Sequence, residues 1–413
     1  MLPQAITVLT GVLSAILLAR GLGPQGLGQY ALVLSLSGLL AGLSDLGIGQ
    51  TAIRFASRAS AQGQVDELYR VHRWAFRTRM TLALSMAAAG YVLVPWLVGG
   101  LWRDDTLIQP AQLGLLTGVL SAAAAAPAVY YQSIKRLGVS ALLSAGQALF
   151  PLVAILAIAV AGRWSIEGVV LANLVAVGCA TLLSLLLVPR RALFAREARR
   201  LWGAYRPEKD DMGSFAAFMV LASILVLLTT RMDVWLMGAF LDKSQLGQYS
   251  AASRVTLPLV MLLGALNTAL WPRVSSAEGM ESLRLMRRTL QLTVPAAVLG
   301  VGYALIAPVL IPWVFGDAYR DAILLGQVLS LRYCFSLLVC PLGLIGYSLG
   351  LVRVYWVINL IQFGVVIAVN LMLLPRIGPL GSALAMLMNE LVGAVIIGVL
   401  IGVRTQRMRE RVA

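Results

Sequence analysis

The chain has 413 residues, 59% of them hydrophobic and 12% charged, with a formal net charge of +15 and a mean hydropathy of +0.85. Soluble domains carry about a quarter charged residues, so this composition excludes an ordinary water-soluble fold. The apolar residues come in runs of about 20, enough for a helix to cross a hydrocarbon core of about 30 Å, without the alternation of a barrel strand.

Hydropathy and breaker positions predict an all-α polytopic membrane protein with about twelve transmembrane helices, at 3–20, 27–50, 79–101, 110–131, 139–161, 166–188, 213–241, 246–270, 288–315, 322–348, 353–374 and 379–403. Span one opens almost at Met1, with no basic stretch ahead of it and no small-residue cleavage site, and reads as a retained helix and not a removed signal peptide. After it comes GLGPQGLGQY, where Gly21, Gly23 and Gly26 have the G-x-G-x-x-G spacing of a dinucleotide-binding turn. That motif needs a strand before it. Here a membrane helix precedes it and Pro24 interrupts it, so the glycines read as a tight external turn, with Tyr30 beyond it at a depth suited to the membrane interface.

Basic residues collect at every second connection. Arg54 to Arg79 follow span two, Lys135 and Arg136 span four, Arg190 to Lys209 span six, Arg273 to Arg288 span eight, Arg353 span ten, and Arg404 to Arg411 form the tail. The other connections carry little more than Arg20, Arg103, Arg163, Lys243, Arg320 and Arg376. The positive-inside rule then places both termini in the cytoplasm of a multi-pass protein of the cell's inner membrane, and explains the charge without nucleic acid. His72, the one histidine, stands among loop arginines and reads as solvated. Cys179, Cys334 and Cys340 fall inside spans with no C-x-x-C spacing and read as packing residues, so neither a metal nor another cofactor is expected. Asp104, Asp105, Asp317 and Asp321, on short external loops, read as solvated, and no catalytic residue is assigned.

The chain repeats itself. LGPQGLGQYALVLSL from Leu22 aligns without gaps on LDKSQLGQYSAASRV from Leu241, keeping Leu-Gly-Gln-Tyr, and the register carries Arg54 onto Arg273 and Ser57 onto Ser276. VLVPWLVGG from Val92 matches VLIPWVFGD from Val309, Pro127 meets Pro341, and GVVLA from Gly168 meets GSALA from Gly381. Six spans per half return the chain to its starting side, so the halves are parallel repeats related by a pseudo-two-fold axis along the membrane normal, facing one another across a central cleft. The boundaries expected are an N-terminal lobe at 1–188, a basic linker at 189–212 and a C-terminal lobe at 213–413. In the linker Leu193, Phe194, Leu201, Trp202 and Tyr205 interleave with arginines, a pattern suited to an amphipathic helix on anionic lipid.

Ionisable side chains at membrane depth cost several kcal/mol and need a partner, water or a role. The N-terminal half has Asp45; the C-terminal half has Arg231, Asp233, Arg254, Arg332 and Glu390. Counted from the outer span ends, those five lie roughly 12 to 17 Å deep. Asp233 and Arg254 sit at matching depths on consecutive spans and are expected to pair, while Arg332 and Glu390 read equally as an ion pair pinning helices or as part of an ion-coupling group with Asp233. Gln4, Thr7, Gly11 and Ser14 form a polar stripe on span one. Ser35, Gly38, Gly42, Asp45 and Gly49 share a face of span two, where Gly38 and Gly42 also read as a G-x-x-x-G helix contact.

ARGLGPQGLGQYALVLSLSGLLAGLSDLGIGQTAIRFAS from Ala19 and RMDVWLMGAFLDKSQLGQYSAASRV from Arg231 resemble the polysaccharide flippase family of the multidrug/oligosaccharidyl-lipid/polysaccharide exporter superfamily. The resemblance runs over the whole chain. It implies a V-shaped, two-lobed transporter, not an enzyme, that alternates between cytoplasmic and external access and moves polyprenyl-pyrophosphate-linked oligosaccharides to the outer leaflet. It further implies a central cavity in which Arg231 and Arg254 bind substrate, with Asp233 as counter-ion, facing Asp45, Gln4 and Thr7. The partners implied are the polyprenyl-linked oligosaccharide, membrane lipid and the glycosyltransferases or polymerase of the same route, around a monomeric transport unit. The N-terminal half departs from the pattern in supplying almost no intramembrane cation. A cation-coupled multidrug exporter of the same superfamily and a membrane-embedded transferase remain as alternatives, the first disfavoured by the arginines and the second by the short external loops.

Overall fold

The structure is a computed structural model describing residues 2–194, 212–275, 280–348 and 354–410. Among these residues every regular element is helical, as a hydrocarbon setting requires of any backbone that must satisfy its own hydrogen bonds. The helices are α1 (Leu2–Asp45), α2 (Ile48–Ala61), α3 (Val65–Pro95), α4 (Ile108–Ser133), α5 (Leu137–Ala161), α6 (Ile166–Leu186), α7 (Arg190–Leu193), α8 (Met212–Phe240), α9 (Lys243–Val255), α10 (Leu257–Ser275), α11 (Met280–Phe315), α12 (Ala322–Ser348), α13 (Tyr355–Ile377) and α14 (Pro379–Glu410). Among the described residues ten helices have the length and composition to cross a membrane, eleven if α9 and α10, bent by 44°, count as one span. A straight α1 would be about 66 Å long, twice the hydrocarbon thickness. It breaks at Gly23 (φ 68, ψ −179), and its halves correspond to predicted spans one and two.

The break explains the opening glycines. Gly23 alone of the three has the positive φ that an L side chain resists. Gly21 serves a different purpose: a Cβ there would stand 2.2 Å from the ring of Trp164, in the α5–α6 connection. The Leu-Gly-Gln-Tyr that follows is a pin used twice. Gln29 Nε2 donates to Asp104 Oδ2 at 3.1 Å, and its repeat mate Gln248 Nε2 donates to the Ala318 carbonyl at 2.7 Å. Each glutamine ties the start of its helix to the connection after the Pro-Trp segment, so Asp104 is engaged and not merely solvated. Tyr30 and Tyr249 are 4% and 3% exposed. Both face the interior of their own unit.

The chain divides into two compact units, Met1–Ala239 and Phe240–Ala413. The first takes in α8, which the repeat groups with the second half of the sequence and whose side chains meet α1 as described below. Within this unit α3 begins at Val65, well before the predicted span, and packs its basic first half against α2, α4 and α7 around Ala52, Ala56, Leu68, Val71 and Leu193. His72 is therefore 3% exposed, a correction to its solvated reading. Ser133 Oγ donates to the Tyr130 carbonyl at 2.7 Å, so at 2.9 Å from that same oxygen the imidazole Nε2–H is the donor. Arg73, also buried, donates to the Arg191 carbonyl at 2.7 Å and secures α7. Phe194 meets Phe76 edge-on at 5.6 Å; the remainder of the predicted amphipathic linker, including Trp202, lies outside the described residues.

Gly21→Ala is expected to lower the melting temperature of the purified protein, at an overpacking cost of about 1–3 kcal/mol. Combined with Trp164→Ala, it should add no further loss beyond that of Trp164→Ala alone, as read by thermal denaturation in detergent.

Candidate functional site

The second half of α1 and α8 run antiparallel along a seam of small residues. A Cβ on Gly42 would meet Leu227 at 2.7 Å, one on Gly38 would stand 2.6 Å from Arg231 Nη2 and 2.9 Å from its Cζ, and one on Gly238 would meet Leu32 at 2.6 Å. Between these, Trp235 Nε1–H donates to Ser35 Oγ at 2.8 Å, and Ser35 Oγ–H donates to the Leu32 carbonyl at 2.6 Å. The predicted G-x-x-x-G contact thus exists and has a specific partner, the Leu227–Arg231 turn of α8. The absent side chain of Gly38 makes the room that the Arg231 guanidinium occupies.

Arg231 is half-buried, and among the described residues its buried Nε–H finds no acceptor. An unanswered buried donor costs about 1–3 kcal/mol, more when charged, and in a native fold it calls for an explanation. One turn fragment away Asp233 is 8% exposed, its Oδ1 accepting the Val234 N–H at 2.7 Å. Trp235 also meets Trp102 edge-on, with centroids 6.4 Å apart, which adds a second contact to the Trp235 end of the seam. Ser35 stands on the polar face read from the sequence, whereas Trp102 and Trp235 were not singled out there, although Trp235 follows Arg231 by four residues, the spacing that puts both on one face of α8.

Asp45 is held elsewhere than along this seam. It ends α1, and Arg79 Nη1 of α3 lies 3.0 Å from its Oδ1, which also accepts the Gly49 N–H at 3.1 Å. A carboxylate at the first turn of α2, after the positive-φ pair Leu46 and Gly47, is favoured by the helix dipole. Arg79 is accordingly a half-buried partner and not a loop charge. Thr7 is exposed on α1, and the side chain of Gln4 lies outside the described residues.

In the second unit Arg254 occupies the last turn of α9, where the chain bends before α10. Pro258 has no N–H to continue the helix. The Val255 carbonyl freed by the bend accepts Tyr303 Oη–H at 2.6 Å, and a cation in the last turn is favoured by the dipole of the half-helix. Farther along, Arg332 Nη2 of α12 and Glu390 Oε1 of α14 lie 3.5 Å apart, with the guanidinium 5.1 Å from the Tyr333 centroid. Cys334 is buried in a small apolar cluster with Ala296, Ala297 and Leu337.

The family described as "Polysaccharide biosynthesis protein" matches residues 1–278 of the chain. No curated protein matches it. Among solved structures, the chain is similar to an inward-facing multidrug resistance MATE family transporter of the MOP superfamily, at 12% identity and a TM-score of 0.74, covering 98% of this chain and 96% of that one. It is similar to the lipid II flippase MurJ in an inward closed conformation, at 12% identity and a TM-score of 0.74, covering 98% and 89%. A MOP superfamily transporter from Pyrococcus furiosus, whose binding pocket is described as reversed in polarity, has 13% identity and a TM-score of 0.65 over 98% and 94%. At these identities the likeness establishes the fold.

Removing one member of the Arg332–Glu390 pair should cost roughly 1 to 3 kcal/mol, less than a fully buried orphan because both groups keep some exposure. Glu390→Leu alone is expected to lower the melting temperature, and Arg332→Met with Glu390→Leu to restore most of it; a double variant as unstable as the two losses summed would deny the pairing any energetic part.

Proposed function

The chain belongs to the polysaccharide biosynthesis protein family, and from that premise we propose that it is a flippase carrying polyprenyl-pyrophosphate-linked oligosaccharides from the inner to the outer leaflet by alternating access. The observation that carries the reading is Arg231, a cation on a membrane-spanning helix with a buried N–H unanswered by the described residues, seated in the space left by Gly38. A diphosphate supplies both the charge and the acceptors that this donor lacks, and a guanidinium matches phosphate oxygens in a fork that an ammonium cannot reproduce. Such a substrate also suits a membrane protein without a catalytic step: the polyprenyl chain stays in lipid while the polar part crosses.

Asp233 is assigned the counter-ion role, moderating the charge so that substrate is released as well as held, and a coupling role for it, with Glu390 and Arg332, goes with that assignment. Arg254 receives the same anion-contacting role as Arg231 from the sequence alone, as do Asp45, Gln4 and Thr7 their place along the substrate path. The two termini are assigned to the cytoplasm of an inner-membrane protein by the distribution of arginines. Glycosyltransferases and a polymerase are the enzymes that would supply and consume such a substrate, and a monomer suffices for the cycle. Likeness to a multidrug transporter leaves export of drugs as the second reading; Arg231 disfavours it, because a guanidinium on the substrate path repels a cationic drug.

Arg231→Ala should abolish surface polysaccharide at an unchanged protein level in the membrane, and Arg231→Lys should restore only part of it. Gly38→Ala displaces the free end of a flexible side chain, so it should leave the melting temperature nearly unchanged yet reduce export by about tenfold or more, as misplaced binding groups do. Normal export by all three would remove Arg231 from the substrate path.

A further inference from the structure

Where α4 ends and α7 begins, a cavity of about 520 Å³ opens on the first unit. It shares no residue with the α1–α8 seam. Tyr130 and Tyr131 form one wall, edge-on to each other with centroids 5.3 Å apart. Tyr130 is braced from behind by His72, edge-on at 5.1 Å, and Tyr131 Oη–H donates to the Leu187 carbonyl at 2.7 Å. The wall is therefore built from fixed groups. Arg136 and Arg190 also line the cavity, and no carboxylate does among the described residues.

The remaining lining is apolar and continues out of the cavity. Leu186 and Leu187 are 63% and 53% exposed, and one turn back along α6 Leu182 and Leu183 are exposed to the same extent. Residues four apart lie one above the other on a helix, so 182 with 186 and 183 with 187 make two leucine rows leading from the cationic cavity along a membrane-spanning helix. A soluble anion would use the arginines alone. A lipid uses both features: its phosphate meets the guanidiniums and its chains cover the leucines.

We propose that this cavity seats the phosphate headgroup of an anionic phospholipid, with the acyl chains along the leucine rows of α6. The site is independent of the flippase reading, since neither the seam nor Arg231 takes part. Each arginine near a lipid phosphate is worth about fivefold in affinity. The test is native mass spectrometry of the full chain with phosphatidylglycerol and, separately, phosphatidylcholine. Wild type should retain phosphatidylglycerol preferentially, Arg136→Gln and Arg190→Gln should each weaken that retention about fivefold, and the double variant about thirtyfold. A charge-matched control, Arg54→Gln with Arg58→Gln on exposed positions of α2, should retain the lipid as wild type does. Equal loss in both double variants, or no loss in the first, would overturn the site. Displacement of phosphatidylglycerol by an equal concentration of glycerol 3-phosphate would show a soluble phosphate as the ligand and overturn the lipid assignment.

Discussion

A guanidinium placed on a membrane-spanning helix has to be given space, neighbours and an acceptor, and the contact of α1 with α8 supplies the first two to Arg231. Space comes from Gly38, whose missing side chain is where the guanidinium lies. Neighbours come from the Ser35–Trp235 hydrogen bond and the Trp102–Trp235 edge contact, which hold α8 on α1 just beyond the cation. Gly42 and Gly238 leave room for the Leu227 and Leu32 side chains of the facing helix. The acceptor for Nε–H is what the described residues do not provide, and a transported pyrophosphate is the group proposed to provide it.

Duplication gave both units the same helix start but not the same helix. Gln29 and Gln248 perform one task in two places, tying a helix start to the connection beyond a Pro-Trp segment. Downstream the copies diverge. In the first unit the helix is unbroken from the Gly23 turn to Asp45, whereas in the second it bends after Val255, ahead of Pro258, whose counterpart in the first copy is Leu39. The position that carries Arg254 in the second copy carries Ser35 in the first. One copy thus ends a half-helix on a cation, and the other uses a hydroxyl to receive Trp235. This difference gives a physical form to the uneven distribution of intramembrane charge between the sequence halves.

The span positions, the repeat and the intramembrane charges were legible in the sequence because each follows from a one-dimensional pattern: hydropathy over about 20 residues, identity at a fixed offset, or a charge where a charge is costly. Burial of His72 was not, because its neighbours in sequence are arginines, and only the packing of α3 on α4 reveals that its own face points to Ser133 and Tyr130. Asp45 was legible as unusual but not as the partner of Arg79, which lies 34 positions away on a helix that starts earlier than hydropathy marks. The role of Gly38 was half legible. Spacing with Gly42 identified a helix contact, while the fact that the contact cradles a cation depends on the register of α8.

Recognition of a lipid-linked sugar's diphosphate by Arg231, the role proposed for it, is tested more directly by binding than by export, which depends on many other proteins. The measurement is calorimetric titration of the purified full chain with a short-chain prenyl-pyrophosphoryl disaccharide and with its monophosphoryl analogue. Wild type is expected to bind the pyrophosphoryl ligand about tenfold or more tightly than the analogue, as one charge-assisted pair of about 1.5–3 kcal/mol implies, and Arg231→Ala to remove the preference. Equal affinities in wild type, or a preference that survives in Arg231→Ala, would contradict it.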